Sequence, residues 1–390
     1  MGDIEPSALT IRVADSLSGV DPAAWDACAG DGNPFVSYAF LSALEDSGSA
    51  TQHTGWAAQH VLLEDAGGSL LGVVPMYLKN HSQGEYVFDY GWAHAFERAG
   101  GEYYPKLQIS VPFTPATGPR LLVRGDQPRQ KVGEYLLAGC MEVARRYEVS
   151  SLHITFPTES EWNLMGEMGM LQRTGEQFHW VNRDYPDFNG FLTDLASRKR
   201  KAIRKERREA LAPGIEIDVL TGSDIREAHW DAFFQFYMDT GSRKWGTPYL
   251  TRDCFSLLSE RMADRVVLFM ARRDGRYIAG ALNVAGDDTL YGRYWGCIEH
   301  HNCLHFEVCY YQAIETAISM GLQRVEAGAQ GPHKLARGYL PVKTYSAHWI
   351  RDPGFRDAVE RYLEQERREV DSEIAYIGEH HSPFRKTDGN

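Results

Sequence analysis

The chain has 390 residues, and 53 Asp and Glu against 41 Lys and Arg leave a formal net charge of −12. At about 100–200 residues per domain this length predicts two domains, or three; 43% hydrophobic and 24% charged residues is ordinary globular composition, which excludes disorder over most of the chain. The acidic balance argues against a dedicated DNA-binding protein, because a duplex backbone is held by positive surface, and no run of about 18 apolar residues is present to span a membrane.

Thr10–Val13 reads as a short strand, and Asp21 before Pro22 reads as an N-cap with proline at the first helical position. A second helix is predicted over Tyr38–Asp46. His60–Glu64 and Ser69–Leu78 flank Asp65-Ala66-Gly67-Gly68, which predicts a hairpin. Glu85–Asp89 reads as a further strand. Residues 91–119 are rich in aromatics, Gly and Pro, and long ordered loops of this kind tend to build sites. Leu121–Val123 is a predicted strand, 130–147 a helix and Ser151–Phe156 a strand.

The second half repeats this order. Arg265–Arg272, Tyr277–Val284 and Thr289–Trp295 read as strands, with a turn at 273–276. A helix over Phe306–Met320 ends at Gly321 as a left-handed cap and leads to a strand at Arg324–Ala327. The hairpins match locally, VLLEDAGGSLLGVVPM against VLFMARRDGRYIAGAL, and a repeat this long suggests tandem duplication rather than a solenoid. Between the halves, Ser197–Ala210 is a charged helix. Gly354–Ile377 is predicted helical, and the tail from His380 is expected to fray.

Cys28, Cys140, Cys254, Cys297, Cys303 and Cys309 read as reduced thiols. Met1–Thr10 has two acids and no apolar core, so no export signal and a cytoplasmic location are expected.

Four strings are distinctive: NPFVSYAFLSALEDSGSA at 33–50, GEYVFDYGWAHAFERAG at 84–100, YYPKLQISVPFTPATGPRLL at 103–122 and AGAQGPHKLARGYLPVKTYSAHW at 327–349. In them the chain resembles the FemAB-like branch of the GNAT superfamily, bacterial N-acyltransferases often labelled for peptidoglycan biosynthesis or recognition. The resemblance implies an α/β (α+β) chain of two tandem GNAT-like acyltransferase domains with mixed, mostly antiparallel sheets. The expected division is 1–187, a basic helical linker at 188–212, 213–352, and a C-terminal helix and tail at 353–390. It also implies a reaction crevice where the central parallel strands splay, after TLYGRYW and around RVEAG.

Acyl transfer to an amine needs a neutral nucleophile, a stabilised oxyanion and an aligned donor. Glu326, at the end of the last strand of that crevice, is the first candidate for a general base; the alternative is a carboxylate paired to a nearby arginine. His333, Lys334 and Arg337 lie in GPHKLARG, a Gly-bounded basic loop suited to a phosphate or carboxylate, or to anchoring the C-terminal helix. His333 and Lys334 join Glu326 as catalytic candidates; Lys343 and Tyr345 follow as weaker ones. His305 and Glu307, at a helix start, and Arg293 and Tyr294, on the preceding strand, are candidates to line the crevice, against plain packing. Tyr103, Tyr104, Lys106, Phe113 and Thr114 suit a small-molecule or sugar–peptide pocket, or an aromatic plug; Glu85, Asp89 and Trp92 share that ambiguity. Arg243, Lys244 and Trp245 form a second possible anion loop. Cys297, His300, His301, Cys303, His305 and Cys309 have metal-ligand composition without ligand spacing, so no metal is expected.

The donors implied are acyl-CoA or aminoacyl-tRNA. The Q/R-x-x-G-x-G/A pyrophosphate loop of acetyl-CoA enzymes is missing: the junctions read CIEHHNCLHFE and RGDQPRQKVG. Fem transferases also lack it and take aminoacyl-tRNA, with a helical arm thought to engage the tRNA, for which 218–265 leaves little room. Eight Lys and Arg between Arg198 and Arg208 read either as a solvated face or as a contact for a nucleic-acid backbone, an anionic membrane surface or a pyrophosphate. The leading expectation is an N-acyltransferase acting on a small amine or cell-wall precursor; a non-catalytic module binding an anionic glycopeptide and a Cys/His metalloenzyme are the alternatives.

Overall fold

The computed structural model describes residues 9–244, 248–328 and 332–385. Contacts divide the chain into two compact units, Met1–Gly175 with Thr344–Val370, and Glu176–Lys343 with Asp371–Asn390. This differs from the expected boundaries: residues 344–352 fall with the first unit, and 353–390 is shared out rather than separate.

The first unit opens with β1 (Thr10–Ala14), α1 (Pro22–Ala29), α2 (Tyr38–Asp46), β2 (Trp56–Ala58), β3 (His60–Glu64), β4 (Leu70–Val74) and β5 (Met76–Lys79). It continues with α3 (Tyr90–Arg98), β6 (Lys106–Ile109), β7 (Leu122–Val123), α4 (Arg129–Arg146), β8 (Ser151–Thr155) and α5 (Glu159–Glu167). The Asp21 carboxylate accepts from the Ala24 N–H, with Pro22 inside the start of α1. Asp65 holds the hairpin turn by accepting from Gly67 and Ser69 N–H groups, and Gly68 takes φ 80°. The predicted strand 69–78 is broken at Pro75, which has no N–H for a ladder, so β4 and β5 join different sheets.

β9 (Leu171–Val181) leads into the second unit, with α6 (Phe188–Asp194), α7 (Ser197–Leu211), β10 (Glu216–Thr221), α8 (Glu227–Lys244), α9 (Arg252–Met262), β11 (Val266–Arg273), β12 (Arg276–Ala285) and β13 (Thr289–Cys297). Next, α10 (Leu304–Phe306) runs through a π-turn (Glu307–Tyr311) into α11 (Gln312–Ser319), followed by β14 (Arg324–Glu326), β15 (Leu340–Ile350) and α12 (Pro353–His380). The tail docks instead of fraying: Phe384 is buried and bridges Leu195, and the Arg385 N–H donates to the Asp194 carbonyl.

Both units use one plan. In the second, β10, β11, β12 and β13 are antiparallel neighbours, and the helix 304–319 carries the chain to β14, parallel to β13; residues 179–181 of β9 then pair antiparallel with β14. In the first, β2, β5 and β6 are antiparallel, α4 carries the chain to β8, parallel to β6, and residues 346–350 of β15 pair antiparallel with β8. A second sheet of the first unit runs β1-β3-β4-β7. Each parallel pair is thus flanked by a strand supplied from the other half of the sequence.

The crossover helices bury their apolar faces on the parallel pairs. Leu136, Leu137 and Cys140 of α4 cluster with Leu107, Ile109, Leu152 and Ile154. Val308, Ile314 and Ala317 cluster with Ala281, Leu290 and Val325. Each fully buried Leu, Ile or Val contributes about 1.5–3 kcal/mol. No helix among the described residues is long and apolar enough to cross a membrane.

Gly296 lets α8 lie directly on β13, since a Cβ there would sit 2.2 Å from the carbonyl carbon and oxygen of Phe236. Gly296→Ala is expected to cost about 1–3 kcal/mol, read as a lower urea midpoint at unchanged slope.

Candidate functional site

The second unit opens where its parallel strands part. β14 faces β13 only over Thr289–Arg324, Leu290–Val325 and Tyr291–Glu326, and then ends. β13 runs on to Cys297, and among the described residues it is paired there with β12 alone, with no strand partner on its other edge from Gly292 onward. The β12–β13 register shifts between Leu282–Tyr294 and Asn283–Gly292, which makes Arg293 the extra residue of a bulge at the mouth of the splay. Bulges re-aim side chains beside sites.

Glu326 sits at this fork. It is 7% exposed and lies opposite His179 on β9, with Oε1 3.8 Å from His179 Nδ1. Burial, then Arg324 and Lys334, push His179 down to about 3, so near neutral pH it is an uncharged neighbour. Burial and the Glu326 charge keep the Tyr291 hydroxyl protonated far above the ordinary phenol range.

The basic loop is mostly self-anchored. Lys334 is 1% exposed; its Nζ donates to the Gly328 carbonyl at 2.7 Å, and burial lowers it to about 8. Arg337 donates to Glu206 at 2.9 Å and to the His333 carbonyl at 2.7 Å, with its guanidinium 3.4 Å over the Phe306 ring. It staples the loop to α7 and α10, so the anion-binding reading of Arg337 gives way to anchoring. His333 is exposed, bonds Tyr310 OH at 2.9 Å, and is lowered by burial and by Arg337 and Lys334. Residues 329–331 of this loop lie outside the described residues.

Glu307 does not face the crevice. It is fully buried and gripped by Arg207 at 2.8–3.2 Å, with Gln312 adding a bond at 2.8 Å. His305 does line an opening: with Thr240, Trp295, Cys297, His300 and His301 it borders a cleft of about 250 Å³, its ring edge-on to Trp295 and Tyr310. Arg293 lies 5.4 Å from the Tyr294 ring, and Tyr294 packs on Tyr237. Lys343 is paired to Asp371 at 2.7 Å. Among the described residues no group of three or more His, Cys, Asp or Glu is placed to hold a metal; Cys297 Sγ and His300 Nδ1 are 3.9 Å apart. The candidate loop at Arg243, Lys244 and Trp245 falls outside the described side chains.

The first unit holds a buried polar network around Lys106. Lys106 is fully buried, and its Nζ donates to Glu85 at 2.7 Å, Asp89 at 2.5 Å and Ser82 at 2.8 Å. Residues 85–89 are therefore not the predicted strand. Tyr86 takes φ 60°, and both carboxylates turn inward. Tyr103 OH donates to Asp89 at 2.7 Å and lies 3.3 Å from His153 Nε2, and His153 Nδ1 meets His348 Nδ1 at 2.7 Å, one donating and the other accepting. Ser151 and Ser346 bond the outer nitrogens of the two imidazoles. Tyr104 is half-buried and bonded to Ser82, whereas Phe113 is a packing residue, edge-on to Trp56. The pocket reading for Lys106 and Phe113 gives way to a sealed network and core packing.

Burial pushes Glu85 up to about 7 against the pull of Lys106, and pushes Lys79 down to about 7 against the pull of Glu85. Burial also penalises Asp89, yet Lys106 and His153 hold it below the usual carboxylate range. Burial, then Lys106, push His153 down to about 3, and burial, then His153, push His348 well below its ordinary value. Sequence reasoning missed Lys79, His153 and His348. The signal available was a Ser-x-His pattern in both SLHITF and YSAHWI.

Lys106→Met leaves two buried carboxylates without their cation and is expected to cost about 3–5 kcal/mol in urea unfolding. The imidazoles give stability a pH dependence. His153 and His348 stay neutral when folded but charge below about 6.5 when unfolded, so stability is full above that pH and falls as pH drops towards 3. Glu85, raised from 4.5 to about 7, opposes this, because its share is lost as pH rises through that window. Two imidazoles outweigh one carboxylate, so unfolding free energy should drop between pH 6.5 and 5, and His153→Gln with His348→Gln should flatten or reverse that slope.

The chain matches the FemAB-like family profile, described as peptidoglycan biosynthesis/recognition, over residues 16–386. No curated protein matches it in sequence. Among solved structures it is similar to FemX, at 13% identity and TM-score 0.56, over 87% of this chain and 97% of that one. It is also similar to the C-terminal domain of a candidate lysylphosphatidylglycerol synthetase from Agrobacterium fabrum, at 10% identity and TM-score 0.54, over 88% and 94%. The L-PGS structure from Bacillus licheniformis follows at 10% identity and TM-score 0.50, over 86% and 98%. At these identities the likeness is one of fold, and the fold is α/β, of two tandem GNAT-like units. With 16–386 of its 390 residues matched, the chain belongs to the FemAB-like family.

Proposed function

We propose that the protein is an N-acyltransferase that moves an acyl or aminoacyl group onto an amine of a cell-wall precursor or similar small acceptor. The observation that carries this reading is Glu326: a largely buried carboxylate at the end of the shorter of two parallel strands, beside the edge where β13 has lost its strand partner. Family membership supports the same direction.

In this mechanism the acceptor enters as an ammonium and Glu326 takes its proton. The neutral nitrogen attacks the donor carbonyl, forming the C–N bond, and the C–O or C–S bond to the carrier breaks. The second amine proton leaves with the collapse of the tetrahedral intermediate and passes to the carrier oxygen or sulfur. His333, exposed on the same loop, is the candidate to return the proton to solvent. Lys334 acts as a positioning residue through its bond to the Gly328 carbonyl.

The donor is acyl-CoA or aminoacyl-tRNA. The 298–303 junction has no glycine, and Cys303 takes a left-handed conformation before Leu304, so it is not built like a Gly-rich pyrophosphate cradle. This favours aminoacyl-tRNA among the two donors, and it is also what a non-catalytic module binding an anionic glycopeptide would show.

Purified protein supplied with labelled aminoacyl-tRNA or acyl-CoA and a muropeptide acceptor should form labelled amide. Glu326→Gln should cut turnover about 10²–10⁴-fold with an unchanged circular-dichroism spectrum. Equal turnover in wild type and variant removes Glu326 as the base; muropeptide binding without transfer from either donor favours the binding module.

A further inference from the structure

We infer that α7 is a docking surface for an anionic lipid bilayer. The inference does not depend on the chemistry assigned to Glu326.

The helix is fixed to the second unit by its Ile203–Ala210 face, with Glu209 at the edge accepting from Asn302. Ile203 and Ala210 are buried, Arg207 pairs with Glu307 and Glu315, and Glu206 accepts from Arg337 and Tyr311. Those contacts set which way the opposite face points. At 100° per residue, Arg198, Lys201, Arg204 and Arg208 follow one another at spacings of three, three and four, on the side away from Ile203 and Ala210, and all four are exposed. The stripe is about 15 Å long at 1.5 Å per residue. Arg200 lies beside it, and Lys199 lies nearer the Ile203 side. Among the described residues none of these six makes a side-chain hydrogen bond or ion pair, whereas Lys205 is taken up by Glu209.

A row of unpaired cations held rigid on a chain of net charge −12 has a partner class written into it, a polyanion. The composition of the face decides which one. From 198 to 208 there is no Asn, Gln, Ser, Thr or aromatic residue, so nothing is present to read base edges or stack bases. Ile203 and Ala210, two turns apart, are both buried while the four cations run along the outer side, an extended basic stripe that suits a plane of mobile headgroups. Clusters of four to eight Lys and Arg on one amphipathic helix bind such surfaces by charge alone. No large apolar side chain accompanies the stripe, so the contact is superficial and reversible by salt.

The test is co-sedimentation of the full chain with large vesicles of phosphatidylcholine alone or with 30% phosphatidylglycerol, at 50 and 500 mM salt. Expected are binding to the anionic vesicles at 50 mM, none to the neutral ones, and release at 500 mM. The triple variant Lys201→Gln, Arg204→Gln, Arg208→Gln should retain its thermal midpoint and lose about 100-fold in partition, from about fivefold per cation. Absence of binding at 50 mM, or binding that the variant leaves intact, overturns the inference. Tighter binding of bulk tRNA than of anionic vesicles at equal salt also overturns it and assigns the stripe to RNA.

Discussion

An ammonium sealed from water must be met by anions, and in the first unit that requirement shapes a whole segment. Lys106 lies on a buried strand with no exposed surface, so Glu85 and Asp89 must come to it. That draws residues 85–89 out of strand geometry and positions α3 behind them. Tyr103 and the His153–His348 pair then extend the network across β8 and β15. These bonds tie the path of 84–105 to the sheet beneath it, although one oxygen each of Glu85 and Asp89 is buried without a hydrogen-bond partner.

The second unit resolves the same strand plan differently. Its polar groups gather at the fork between β13 and β14, and their burial is incomplete. Glu326 keeps a neutral imidazole and a phenol for neighbours, and His305 of the crossover helix meets Trp295 of β13 at an open cleft. The arginines near this fork serve mainly as fasteners: Arg207 and Arg337 are used up by Glu307 and Glu206. The contrast between a closed network and an open fork on one strand plan is the reason for placing the chemistry in the second unit.

Much of this was legible in the sequence where periodicity was undisturbed. The hairpin at 60–78, the helix after 129, the helix ending at Gly321 and the charged helix at 197 all carry their own signals of turn, cap or charge. The failures share one cause, which is polar residues facing inward. Lys106 and Gln108 on β6, and Thr344, Ser346 and His348 on β15, break the alternation that announces a strand. Glu307 and Arg337 looked like ligand-binding residues because their partners, Arg207 and Glu206, lie a hundred or more positions away. The place of Glu326 at a strand end was legible because that needs only local pattern and a fold-level expectation. His153 and His348 were missed because their pairing spans 195 positions.

The borrowed flanking strands bear on how the chain is made. The free edge of β8 waits for residues 346–350, which leave the ribosome after nearly the whole of the second unit. Until then the nascent first unit exposes an unsatisfied row of backbone groups and the two histidine-facing positions of an unfinished sheet. Long-range closure of this kind is slow and invites pairing with other chains. A fragment ending near the middle of the chain would therefore be sticky and incomplete, because the first unit becomes whole only when residues 344–370 return to it.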